Sequence, residues 1–120
     1  MGDDPKKIII ADDDSDLCDL IREVLAGEGY QVDAVNNGFE LITYLKENQD
    51  IDAVILDLVM PERGGITVFE TIRSISPASK IIIHTGHTDY RGSIYDRKSD
   101  AFIEKTEGAE KIIKVLEELL

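Results

Sequence analysis

The sequence predicts an α/β fold built on a parallel sheet of five strands, and three observations carry that expectation. Short apolar runs alternate along the whole chain with segments of 3.6-residue periodicity, the signature of βα units rather than of a sandwich or a helical bundle. Four of those runs end in polar residues: Ile8, Ile9, Ile10 and Ala11 lead into Asp12 and Asp13; Ala53, Val54, Ile55 and Leu56 into Asp57; Ile81, Ile82, Ile83 and His84 into Thr85; Ala101, Phe102, Ile103 and Glu104 into Lys105. The chain has 120 residues, 42% hydrophobic with three prolines, enough for one packed core and no more than one domain.

Each element follows from local pattern. After the first strand, Asp14 or Ser15 can cap a helix whose apolar residues Leu17, Leu20, Ile21, Val24 and Leu25 recur at helical spacing. Gly27 or Gly29 can end it. Residues 30–35 read as the second strand, Gly38–Glu47 as the second helix through Leu41, Tyr44 and Leu45, and residues 66–75 as the third through Ile66, Phe69 and Ile72, closed by Pro77. The last helix repeats the spacing with Ile112, Val115, Leu116, Leu119 and Leu120. Between Thr88 and Asp100 the only large apolar side chains are Tyr90, Ile94 and Tyr95, so a helix there is expected to be short or mobile. Residues 1–6 are expected to form a disordered N-terminus to a single domain covering 1–120.

A formal charge of −12 opposes unspecific binding to a polyanion, so no direct nucleic-acid contact by this domain is expected. One cysteine, Cys18, makes no internal disulfide, and it reads as a packing residue of the first helix rather than a nucleophile. Residues 1–7 lack the basic-then-apolar order of a signal peptide, and no apolar run approaches the roughly 18 residues that a membrane span needs. The expectation is a soluble, cytoplasmic protein without a membrane contact.

If the four runs are parallel neighbours, Asp12, Asp13, Asp57, Thr85 and Lys105 meet at the carboxyl edge of the sheet, where open α/β sheets bind ligands. Three clustered carboxylates repel one another unless a cation sits among them, and a hard divalent ion such as Mg2+ suits oxygen ligands. Such an ion can align a phosphoryl group with a carboxylate nucleophile, as in enzymes that form aspartyl phosphate. Lys105 then supplies fixed positive charge and the Thr85 hydroxyl a hydrogen bond. Singly, each residue has a plainer role: Asp12, Asp13 and Asp14 as helix caps, Asp57 as a turn residue. His84 and His87 with Asp89 are too few and too scattered for a zinc site, and Phe39 and Tyr44 read as packing residues.

Taken together, residues 8–14, 53–61, Gly65, 81–85 and 101–105 resemble the receiver domain of two-component response regulators, over nearly the whole chain. The resemblance implies a flavodoxin-like, doubly wound sheet of strand order 2-1-3-4-5 with helices on both faces. It implies that a histidine kinase or phosphotransfer protein phosphorylates Asp57, and that Asp13, Asp57 and the backbone carbonyl of Val59 bind Mg2+ directly, with Asp12 acting mostly through water. Thr85 and Phe102 fall at the family's switch pair, whose movement controls a partner or output domain of unknown identity and can drive dimerisation. Catalysis is limited to the domain's own phosphorylation and dephosphorylation.

The chain departs from the family pattern in places. Thr106 follows Lys105 where proline is usual, often behind a cis bond, and a cis bond before a non-proline residue costs about 2.5–4 kcal/mol. Gly64 replaces an acidic residue that commonly precedes Gly65, Gly86 replaces an alanine, and Lys98 stands where glycine is frequent. The interval from Thr85 to Lys105 is shorter than usual. Val59 and His87 occupy the positions that tune hydrolysis; Val59 has no polar tip to hold water while His87 has one, and slow loss of phosphate is expected. A pseudo-receiver, binding protein without cycling phosphate, is the alternative reading, and a small phosphohydrolase a third.

Overall fold

The computed structural model describes residues 4–60 and 64–120. Its five strands, β1 (Lys7–Ala11), β2 (Gln31–Val35), β3 (Ala53–Leu56), β4 (Lys80–Thr85) and β5 (Ala101–Glu104), form one sheet. Every pairing is parallel and the order is β2-β1-β3-β4-β5, the doubly wound arrangement expected. The register sets Ala11 beside Leu56 and Leu56 beside Ile83, so Asp12 and Asp57 leave neighbouring strands at the same level. Period-two alternation then splits the apolar side chains between the two faces.

One face buries Ile8, Ile10, Ala53, Ile55, Ile82 and Ile103 under helices α1 (Ser15–Gly27) and α5 (Ala109–Leu119), through Cys18, Ile21, Leu25, Ile112 and Leu116. The other buries Ile9, Val54, Leu56, Ile81 and Ile83 under α2 (Gly38–Glu47) and α3 (Gly65–Ile75), through Leu41, Leu45, Val68, Phe69 and Ile72. Helix α4 (Ile94–Lys98) is short, as its sparse apolar residues foretell, and has no buried residue. It lies beyond a 3-10 turn at Thr88–Tyr90, with Tyr90 and Tyr95 packed at the margin of the second cluster. No helix among the described residues is long and apolar enough to cross a membrane.

The helix ends answer to their caps. Asp14, of the two candidates, accepts from the Leu17 amide, and Asn37 does the same for Glu40 at the start of α2. Helix α1 runs to Gly27, and Gly29, at φ 94°, takes the left-handed turn that leads into β2. Two apolar residues have surroundings other than those their pattern predicts. Phe39, expected to pack, is 57% exposed on α2, and Leu20, on the apolar stripe of α1, is 55% exposed. Tyr44 does pack against the core, and its hydroxyl donates to Asp33 at 2.7 Å. Of the N-terminal segment, residues 1–3 lie outside the described residues, whereas the Lys6 carbonyl accepts from the Gln31 amide at 2.9 Å. Pro61, the end of the motif around Asp57, also lies outside them.

Candidate functional site

Asp12 and Asp57 are carried to the carboxyl edge by the two central strands and tied there by backbone. The Asp12 amide donates to the Val35 carbonyl at 3.1 Å and the Asp57 amide to the Ala11 carbonyl at 3.0 Å, each bond extending the ladder one residue beyond its strand. Both carboxylates are buried, at 2% and 4% exposure, while Asp13 is exposed beside them. Oxygen atoms of all three lie within 4.8 Å of one another. Three carboxylates at that spacing are a donor set suited to a hard divalent cation, and the fit is to magnesium or calcium rather than zinc. His84 and His87 belong to no such cluster among the described residues.

Lys105 closes the site from β5. Its Nζ donates to Asp57 Oδ2 at 3.0 Å and lies 2.9 Å from Asp12 Oδ2, so a single ammonium is shared between two carboxylates. Burial alone depresses the Lys105 pKa, but the hydrogen bonds and charges of Asp12 and Asp57 outweigh it and the net shift is upward. Asp12 moves upward too, although Lys105 and the Asp14 amide pull it down: burial dominates, and the Asp57 charge adds to it. The two shifts are compatible because Asp12 receives only a share of the lysine while losing most of its water. The cluster therefore holds more negative charge than Lys105 neutralises, which is the electrostatic condition for binding a cation.

Thr85 ends β4 fully buried, and its hydroxyl oxygen accepts from the His87 amide at 3.1 Å, leaving its proton free for another acceptor. Phe102, half-buried on β5, packs against the second core cluster beside Tyr90 and Tyr95. Val59 is 41% exposed and its amide donates to Asp57 Oδ1 at 3.2 Å. His87 is exposed. Gly86 leaves the approach open, the nearest atom to a Cβ built there being Lys105 Cδ at 4.0 Å. At Gly65 a Cβ would stand 2.3 Å from the Asp57 carbonyl oxygen, so only glycine lets the start of α3 close over the Asp57 backbone. A side chain at Gly64 would meet the Leu58 carbonyl at 3.2 Å, and with glycine present the turn is closed by Thr67, whose amide and hydroxyl both bond the Gly64 carbonyl.

No described peptide bond is cis, and Lys105 reaches the carboxylates across a trans bond to Thr106. What holds this turn is a 3-10 segment, Lys105–Glu107, with Glu104 and Glu107 forming a reciprocal capping box. Sequence reasoning passed over three contributors. Asn36 Nδ2 donates to the Asp12 carbonyl at 3.2 Å, and the Cys18 thiol donates to the same oxygen at 3.5 Å, so two side chains fix the backbone of the buried aspartate. Arg91 lies over the Phe102 ring, 4.7 Å from its centroid. Asn36 stands just past the second apolar run, which is a legible signal; Arg91 sits in a segment whose path could not be read.

The family model described as "Response regulator receiver domain" matches residues 8–117. The chain is 30% identical over 101 residues to the transcriptional regulatory protein ZraR of Escherichia coli (strain K12), covering 84% of this chain and 23% of that protein. It is 33% identical over 84 residues to the DNA-binding response regulator MtrA of Mycobacterium tuberculosis (strain CDC 1551 / Oshkosh), covering 70% of this chain and 36% of that one. It thus spans about a quarter to a third of the length of these curated relatives. Among solved structures, the response regulator protein TrrA from Thermotoga maritima, in complex with Mg2+-BeF, superposes with a TM-score of 0.88 at 30% identity, over 96% of this chain and 99% of that one. The same regulator in complex with the histidine kinase ThkA gives a TM-score of 0.85 at 30% identity, over 96% and 98% of the two chains.

Proposed function

The chain belongs to the response regulator receiver domain family, and on that premise we propose that it is a phosphorylation-controlled signalling domain whose phosphoacceptor is Asp57. The observation that carries the proposal is the convergence on one buried carboxylate of a shared lysine and two further carboxylates, from three different strands. In the proposed step an Asp57 oxygen attacks phosphorus. The new O–P bond forms as the bond from phosphorus to the donor breaks, the electron pair leaving with the imidazole nitrogen of a kinase histidine or the carboxylate oxygen of acetyl phosphate. Lys105, already 3.0 Å from Asp57, has phosphoryl oxygens to follow once the group arrives.

Asp13, Asp57 and the Val59 carbonyl would hold Mg2+ directly, with Asp12 acting mostly through water. A divalent ion there supplies the positive charge that lets an anionic phosphoryl group approach carboxylates. The Thr85 hydroxyl, buried and with a free proton, is the donor that gains a phosphoryl acceptor, and Phe102 is the ring that follows it. A differential of about 1.4 kcal/mol changes a two-state ratio tenfold, and near-complete reversal needs about 5.5 kcal/mol. One hydrogen bond to a charged group contributes about 1.5–3 kcal/mol, so partner binding completes the shift.

The donor we propose is a histidine kinase or phosphotransfer protein, the kind of partner found on TrrA. The output, in the same chain or another, is reached through the conformational change, with the domain itself making no nucleic-acid contact and turning over no substrate beyond its donor. A cytoplasmic location fits one free thiol and a kinase partner. Incubation with Mg2+ and acetyl phosphate is expected to add one phosphoryl group by intact mass, and Asp57→Asn to add none. A wild-type chain that takes up no phosphate overturns the reading, and sustained hydrolysis of many phosphate esters points instead to a hydrolase. Because Val59 offers no polar tip beside the carboxylate, the label is expected to outlast removal of the donor by minutes; loss within seconds contradicts this.

A further inference from the structure

Arg91 makes contacts that the phosphoryl chemistry does not use. It follows the 3-10 turn at Thr88–Tyr90, and its guanidinium lies over the Phe102 ring at 4.7 Å. The same guanidinium donates through Nε to Glu104 Oε2 at 3.0 Å and lies 3.7 Å from Glu107 Oε2. Glu104 and Glu107 bracket Lys105 in sequence and are themselves joined by the capping box. One side chain therefore connects the segment after Thr85 with the aromatic ring of β5 and with the turn that aims Lys105.

We propose that Arg91 is a latch that holds Phe102 and the Lys105 turn in the arrangement described, and that switching the domain requires this latch to be released. The inference rests on the assignment of Asp57 as phosphoacceptor and of Thr85 and Phe102 as the moving pair. The geometry supplies the reason. Phe102 has the core on one side and Arg91 on the other, so the ring turns only if the guanidinium slides off its face. The stack and the two carboxylates hold it by separate interactions, cation–π and ionic, each modest at a site whose side chain is 47% exposed. A modest latch is what a switch needs, since it biases two states without freezing one.

One variant separates the stack from the charge: Arg91→Lys keeps a positive charge near Glu104 and Glu107 but loses the planar guanidinium over the ring.

The test uses 4-fluorophenylalanine at position 102, one of three phenylalanines, read by fluorine NMR with and without Mg2+ and beryllofluoride. In Arg91→Gln, the resonance is expected to move toward the beryllofluoride-bound position before any analogue is added, and the apparent beryllofluoride affinity to rise about fivefold. Arg91→Lys should show the resonance shift in part. Arg22→Gln, which removes the same charge from the exposed side of α1, should match wild type. A wild-type domain that responds to beryllofluoride while Arg91→Gln stays at the wild-type resonance and affinity overturns the latch alone. A wild-type domain that does not respond overturns both the latch and the phosphoacceptor reading.

Discussion

Burying a titratable ring beside a lysine makes stability depend on pH, and His84 is placed to show it. It is 3% exposed at the end of β4, and burial first, then the Lys105 charge, lowers its pKa from 6.5 to about 4, against opposing pulls from Asp12 and Glu107. The folded state therefore disfavours the proton that the unfolded chain accepts. This contribution to stability is fully present above pH 6.5 and is lost as pH falls toward 4, by up to about 3 kcal/mol. His84→Leu, which cannot take up a proton, should lose about 2 kcal/mol less stability between pH 7 and pH 4.5 in urea denaturation. Parallel losses in the two proteins would refute the assignment. At this scale the sequence displayed the acids, Thr85 and Lys105, because each follows an apolar run. It concealed Arg91, whose partners Phe102, Glu104 and Glu107 are brought to it only by the β4–β5 pairing.

Among the elements, α4 differs from the rest in what supports it. Its five residues fall well below the length at which a helix holds itself, and none is buried. Its C-terminal end is tethered: Arg73 donates to the Lys98 carbonyl at 2.7 Å and to Asp100 at 3.1 Å, and Lys98 pairs with Glu70. Its N-terminal end has the Ser93 cap, at 3.4 Å from the Asp96 amide, and edge contacts of Tyr95 with Phe69 and Tyr90 at 6.0 and 6.3 Å. Amide exchange across residues 90–97 is therefore expected to be at least about a hundredfold faster than in α5. Protection equal to that of α5 would show that the segment is as firmly held as the long helices. Its brevity was legible, since a stretch with three large apolar residues cannot cover a sheet face. Boundaries elsewhere moved by a residue where backbone contacts overrode pattern: β2 begins at Gln31, held by Lys6, and α3 begins at Gly65, where close approach to Asp57 admits no side chain.

At the scale of the whole molecule, the sheet places charge where folding least favours it. The parallel sheet was legible because strands buried on two faces require continuous apolar runs, and β1, β3 and β4 have them, whereas the strand order came from the family resemblance. What the pattern could not show is the degree of desolvation, which comes only when β1, β3 and β5 converge and leave Asp12 and Asp57 almost without water. One lysine against that cluster leaves negative charge in the folded state that the unfolded chain disperses. A divalent ion that binds only the folded cluster must then stabilise the molecule in proportion to its occupancy, by about 2.7 kcal/mol at a hundred times its dissociation constant. Addition of MgCl2 is thus expected to raise the thermal midpoint by several degrees, and Asp13→Asn to remove most of that rise while leaving the core intact. General screening of a net charge of −12 would also stabilise the fold. NaCl at matched ionic strength separates the two: if it raises the midpoint as much as magnesium does, and Asp13→Asn responds like wild type, the effect belongs to the whole surface and not to the carboxyl edge of the sheet.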